Sequence, residues 1–167
     1  IKGVLDNWYQ TNIANKGYDD KVVSTPGFCN DRNTASGSNW VAIGTRFDYA
    51  ADERVVTNRT PTLECSNTND IYTTKVGLIT ADEVSMAGVV NGQINRSYYL
   101  YTGEDYWTMS PSGYNGANAN VLYVRSGSNF SGCGVYNSRG VRPVLNLSAD
   151  VTISTGNGTS ETPYVVS

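Results

Sequence analysis

Two short stretches with helical periodicity, a series of brief apolar strands broken by Gly, Asn and Ser, and a long irregular middle segment predict an α+β domain. A chain of 167 residues fits one such domain around one core. The first helix is expected over about 3–15, where Val4, Leu5, Trp8, Tyr9 and Ile13 recur at helical spacing and Lys16-Gly17 supplies a basic last turn and a left-handed stop. Residues 17–75 carry turn clusters at Thr25-Pro26-Gly27, Asn33 to Asn39 and Asn67 to Asp70, with strand-like pieces only at Val41 to Ile43 and Arg46 to Tyr49. Long loops are expected there. The second helix opens on a capping box from Thr80 to Glu83, in which hydroxyl and carboxylate satisfy the first free amides reciprocally, and Gly88 ends it. Short strands are then expected at Val76 to Ile79, Tyr98 to Tyr101, Tyr106 to Met109, Val121 to Arg125, Val141 to Leu147, Val151 to Ile153 and Tyr164 to Val166. The last two flank Thr155 to Thr159, whose two glycines permit the positive φ of a hairpin turn.

Composition narrows the chemistry. Gly, Asn, Ser and Thr make up 68 of the residues, and only 16% are charged, against roughly a quarter in an ordinary globular protein. Uncharged polar groups keep such a chain in solution, a habit of secreted and surface-exposed domains. There is no His, which excludes a Ser-His-Asp triad, a Cys-His pair and an imidazole metal ligand. A net charge of -3 argues against nucleic acid as a partner. No run of apolar residues reaches the length of a membrane helix, so no direct membrane insertion is expected. The sequence opens on Ile1 rather than Met, as a mature form or an excised piece would, and any anchoring segment is expected to lie outside it. With 12 Tyr and three Trp to bury, the chain can still build a core.

The three cysteines, at 29, 65 and 133, have no metal-type spacing, and neither a metal nor another cofactor is expected. Cys29 and Cys65 lie in the segment that a covalent clamp would stabilise most, so a disulfide is expected between them, with two separate buried thiols as the alternative. Cys133 has no His to activate it and reads as an incidental thiol. The acids fall in adjacent pairs, Asp19-Asp20, Asp52-Glu53, Asp82-Glu83 and Glu104-Asp105, and neighbours on a strand point apart, so no pair is aimed at one substrate bond. Trp8, Trp107 and Arg142 read as structural anchors, the arginine meeting a buried carbonyl or carboxylate.

The informative window is Tyr106 to Gly140. Of its 35 residues, 21 are Tyr, Ser, Gly or Asn, and none is Lys, Asp or Glu. Antibody paratopes use the same economy, with Tyr supplying rigid amphipathic area and Ser, Gly and Asn supplying adaptable hydrogen bonds. Gly, Asn and Ser are also what turns in any glycine-rich β protein use. Tyr114, Asn115, Asn118, Asn120, Ser128, Asn129, Phe130, Tyr136 and Asn137 fall in expected loops or at strand ends and are the candidate ligand-binding residues. Aromatic faces and amide groups suit sugar rings, which offer C–H faces and hydroxyl edges.

Several strings fit one pattern: Leu5 to Tyr9, Gly27 to Arg32, Val76 to Val84, Tyr98 to Gly103, Tyr106 to Pro111, Gly140 to Leu147, and Gly156 to Ser160 before Pro163 to Val166. Together they resemble an uncharacterised family of extracellular domains from Gram-positive, largely gut-associated bacteria, itself similar to C-type-lectin-like folds. The resemblance implies a C-type-lectin-like α+β domain spanning 1–167, with two short helices, a twisted antiparallel sheet and long irregular loops. In such folds a Gly-x-Arg-Pro-like strand follows an exposed loop region, the place that Gly140 to Pro143 would take here. The tripeptides of calcium-dependent lectins are absent, and a cysteine pair of formylglycine-generating enzymes has no counterpart beside Cys133. The Cys29 and Cys65 positions recur in the family within similar strings, which strengthens the disulfide and implies an oxidising, extracellular or cell-surface setting. The resulting expectation is a non-catalytic, adhesin-like module that recognises a glycan or a host or bacterial surface protein. A self-assembling, pilin-like fibre subunit is the alternative, and a carboxylate-dependent glycoside hydrolase a lesser one.

Overall fold

The computed structural model describes residues 1–39, 45–65, 67–159 and 161–167, with Thr68 described by its backbone. The Val41 to Ile43 piece lies outside the described residues. Helix α1 (Lys2–Asn12) turns Leu5 and Tyr9 inward, packs Trp8 and Ile13 beside them and leaves Val4 in solvent. A tight turn at Ala14–Lys16 follows, and Gly17 at φ 80° stops it. The capping box is present as the sequence predicts: Thr80 accepts the Glu83 amide, and the Glu83 carboxylate accepts the Thr80 amide, at the head of α3 (Ala81–Met86). Between these helices, α2 (Ala50–Asp52) runs into a wider π-helical turn at Glu53–Asn58, which the sequence reading leaves as loop.

The strands are β1 (Gly27–Cys29), β2 (Arg46–Asp48), β3 (Ile71–Thr73), β4 (Gly77–Leu78), β5 (Tyr106–Asn115), β6 (Ala119–Val124), β7 (Phe130–Gly134), β8 (Pro143–Val144), β9 (Ile153–Thr155) and β10 (Val165–Val166). The central antiparallel sheet has the order β2-β5-β6-β7, and three two-stranded pairs, β1-β3, β4-β8 and β9-β10, surround it. The chain is therefore α+β with few helices and antiparallel sheets. Two expected strands shrink. Pro143 has no amide to donate, and the Val141 to Leu147 run pairs with β4 only at Pro143–Val144. Tyr98 to Tyr101 forms a turn closed by the Tyr101 amide on the Tyr98 carbonyl, because the Tyr98 ring is buried and its hydroxyl meets that of Tyr106 at 3.0 Å. Strands β1, β3 and β7 are not anticipated by the sequence reading.

Both faces of the central sheet are covered, as the alternation along its strands dictates. Tyr106, Leu122, Val124 and Phe130 face one way, against Val55, Val84 and Val89. Trp107 and Tyr123 face the other way with Leu5, Tyr9, Val76 and Leu78, and Met109, Val121 and Cys133 pack against that cluster. Arg142 stands over the Tyr106 ring and donates to the Leu100 carbonyl, the structural role its sequence position suggests.

The irregular half is fixed by a covalent and an ionic clamp. Cys29 and Cys65 form the expected disulfide, with their Cα atoms 5.6 Å apart. Arg54 donates Nε and Nη2 to the two oxygens of Asp82 at 3.0 and 2.9 Å, and Nη1 to Asp31 at 2.7 Å. Both aspartates are buried. Asp82 also accepts the Thr62 amide, and Asp31 the Asn33 amide, so three segments, at 31–33, 62 and 82, are gathered around one guanidinium. The Asp82 hydrogen bonds raise the Arg54 pKa further above its already high value, ahead of the opposing effect of burial.

Arg54→Met leaves two buried carboxylates without their cation and is expected to lower the unfolding free energy by about 3–5 kcal/mol, measured by urea denaturation. Reducing the disulfide is expected to cost about 3–4 kcal/mol by the loop-entropy argument, read as a lower melting temperature in reductant. Unchanged melting would show that the clamp residues contribute little.

Candidate functional site

The core-facing side of the central sheet changes character along its length. On β6, Leu122 and Val124 belong to the core, and the next residue on that face is Asn120. On β7, Phe130 belongs to the core, and the next two on that face are Gly132 and Gly134. Pairing aligns Asp48 with Gly113, Gly113 with Asn120, and Asn120 with Gly134, so one row crosses all four strands from a carboxylate to an amide with glycines beside them. Arg46 and Asn115, paired with each other, lie two residues further along the same face.

The glycines make this face concave. A side chain at Gly113 would strike the Phe47 carbonyl oxygen at 2.7 Å and the Asp48 carboxylate at 2.8 Å. One at Gly132 would meet Ser112 Oγ at 2.6 Å. A register shift in β5 between Pro111 and Gly113 places Ser112 beside Gly113 instead of across the sheet. Ser112 Oγ donates to Asp52 Oδ2 at 2.7 Å, and Asp52 comes from α2, which follows β2 after the extended Tyr49. The result is a cleft of about 440 Å³ lined by Arg46, Asp48, Asp52, Thr57, Ser112, Gly113, Tyr114, Asn115, Asn120 and Gly132.

Burial pushes the Asp52 carboxyl above the ordinary carboxylate range, the Asp48 charge adds to the rise, and the Ser112 hydrogen bond and Arg46 oppose it. Tyr114 lies between Gly113 and Asn115 and opposite Phe47, so its ring turns to the other face of the sheet, 5.8 Å from the Phe47 ring, and the cleft meets the residue only at its strand. Tyr136 is 73% exposed, and its ring covers the space that a Gly134 side chain would take, at the β7 end of the same row.

Two of the nine sequence candidates, Asn115 and Asn120, therefore share the face that forms the cleft, Tyr136 borders its row, and Tyr114 lines it from its strand with its ring on the opposite face. The others have different positions. Asn118 sits in the β5–β6 turn, where the Asn115 side chain accepts the Ala117 and Asn118 amides at 3.0 and 2.8 Å. Asn137 donates its side-chain amide to the Gly134 carbonyl, and Asn129 accepts the Gly92 and Phe130 amides. Ser128 and Phe130 are interior rather than loop-surface residues. Phe130 shares the core face of β7, and the Arg125–Asn129 turn folds Ser128 inward at φ 63° with 0% exposure.

Arg46, Asp48, Asp52 and Ser112 escaped the sequence reading. Arg46 and Asp48 carried a period-two signal, polar residues on one face of a strand around Phe47, but Asp52 and Ser112 meet from 60 residues apart. Among the described residues, no group of three or more His, Cys, Asp and Glu side chains is placed to hold a metal ion. Comparison with protein-family models, with curated proteins and with solved structures finds no match to this chain.

The raised Asp52 pKa has a signed consequence. A carboxyl that binds its proton more tightly when folded contributes stability below the unfolded value of about 4 and loses it as pH rises through the folded value. Asp52→Asn, which retains an acceptor for Ser112, is expected to melt higher than the wild type at pH 7 and to lose that advantage near pH 3. Thermal melts of the two proteins across this range check the prediction.

Proposed function

We propose that the domain is a non-catalytic, adhesin-like binding module that takes a hydroxyl-rich ligand, a glycan or a glycosylated surface protein, in the cleft at the polar end of the central sheet. The carrying observation is the cross-strand row from Asp48 to Gly134, where glycines open a concavity bordered by the amides of Asn115 and Asn120 and, at its β7 end, by the exposed ring of Tyr136. Its volume lies within the roughly 300–1,000 Å³ range of ligand pockets. Carboxylates accept from sugar hydroxyls, amides both donate and accept, and a tyrosine offers its ring to a C–H face. The scaffold is read as C-type-lectin-like because the Gly140 to Pro143 segment runs beside the start of β5, its Gly140 carbonyl accepting the Trp107 amide. The disulfide and the scarcity of charge support an extracellular or cell-surface setting.

A second reading, a glycoside hydrolase, is favoured by one observation: Asp48 and Asp52 line the same cleft, and burial holds Asp52 toward its protonated form. It requires release of reducing sugar that Asp52→Asn abolishes.

A glycan array that includes host mucin, run with and without chelator, tests the binding module. Selective binding that Tyr136→Ala and Asn120→Ala each weaken by about tenfold, and that Leu63→Ala outside the cleft leaves intact, is the expected result. Silence across the array, or binding indifferent to both cleft variants, would overturn the glycan reading.

A further inference from the structure

A second concavity, of about 310 Å³, lies against the disulfide on the other side of the Ala50–Asn58 helical segment and takes no part in the cleft. Its wall carries Asp31, Glu64, Asp82 and Glu83 against the single cation Arg54, four carboxylates to one guanidinium, a net charge of three negative. These acids are not equivalent. Asp31 and Asp82 are spent on Arg54 and on backbone amides. Glu83 accepts the Thr80 amide and hydroxyl through Oε2 alone, so its Oε1 takes no part in the cap. The Glu64 carboxylate accepts no hydrogen bond among the described residues, its recorded bond running from its amide to Thr62. Of the three negative charges, one stays on the Asp31–Arg54–Asp82 triad and two sit on Glu64 and Glu83, whose acceptor oxygens are available in the cavity wall.

The same wall carries apolar surface: Leu63 is 71% exposed and Ile71 44%, each adjoining the cavity. An exposed leucine beside an uncompensated carboxylate suits an occupant that is cationic at its tip and apolar along its length. We infer that this cavity seats a lysine side chain of a partner polypeptide, its methylene stem along Leu63 and Ile71 and its ammonium shared between Glu64 and Glu83 Oε1. Lysine fits better than arginine, because an ammonium directs three donors to oxygens on separate residues, whereas a planar guanidinium matches one carboxylate edge, the geometry Arg54 already uses on Asp82. A polypeptide fits better than a free amine, because Leu63, 71% exposed, offers more apolar surface than one methylene stem covers, and a residue flanking the lysine would cover the rest.

The test is an amide-shift titration of the intact domain with a capped Gly-Leu-Lys-Leu-Gly peptide, its glutamine counterpart and putrescine. Saturable shifts confined to Leu63, Glu64, Ile71 and Glu83 are expected with the lysine peptide alone. Its affinity should be about fivefold weaker in Glu64→Gln, and should fall with added salt. Glu64 is exposed, so that variant is expected to fold as the wild type does. Shifts elsewhere or none, or equal binding of the glutamine peptide, would refute the site. Putrescine binding as tightly as the peptide would overturn the assignment to a polypeptide. The outcome is independent of whether the cleft binds glycans.

Discussion

Asp31 and Asp82 are held in the interior only because one guanidinium reaches both, and the geometry of the irregular half follows from that contact. Residues 17–75 contribute little sheet, so backbone pairing alone cannot fix them. Arg54 gathers the loop at 31–33, the segment at Thr62 and the head of α3 around one fork, while the disulfide ties β1 to the chain just beyond that segment. The fork is planar and directional, which constrains orientation as well as distance. The capping box at Thr80 acts in concert: it fixes the first turn of α3 and so aims Asp82 at Arg54.

With that half in place, the helical segment at Ala50–Asn58 becomes a partition. Asp52 and Thr57 face the polar cleft, Val55 enters the core, and Arg54 faces the cavity beside the disulfide. The π-helical turn is part of the reason, since widening the turn changes which residues share a face. Two concavities of different character result. One is floored by glycines of the sheet and lined almost wholly by polar groups. The other combines a saturated ionic floor with a rim that keeps spare carboxylate oxygens and exposed aliphatic surface.

The sheet explains why a site forms at its end. Each strand that buries apolar residues on both faces must stop doing so where the covering helices stop, and here Leu122 and Phe130 give way to Asn120 and Gly132. The register shift in β5 adds Ser112 to the same face and provides the donor for Asp52, whose buried carboxyl would otherwise have no partner from the sheet.

Local chemistry made much of the fold legible. The Thr80 capping box, the helix stop at Gly17, the terminal hairpin with Gly156 and Gly158 at positive φ, and the strands at Tyr106 and Val121 are all set by neighbours in sequence. The disulfide followed from the placing of two cysteines in a segment short of other constraints. Composition also singled out Asn115 and Asn120, but it equally suggested Tyr114, Ser128 and Phe130, because composition does not say which face a residue takes. Burial of Phe130 depends on β7 pairing with β6, and a strand of Phe, Ser, Gly and Cys announces no such pairing. The cleft and the cavity were beyond reach for the same reason. Asp52 meets Ser112, and Arg54 meets Asp31 and Asp82, across separations that no periodicity spans, and only the packed chain decides which charges meet a partner and which remain for a ligand.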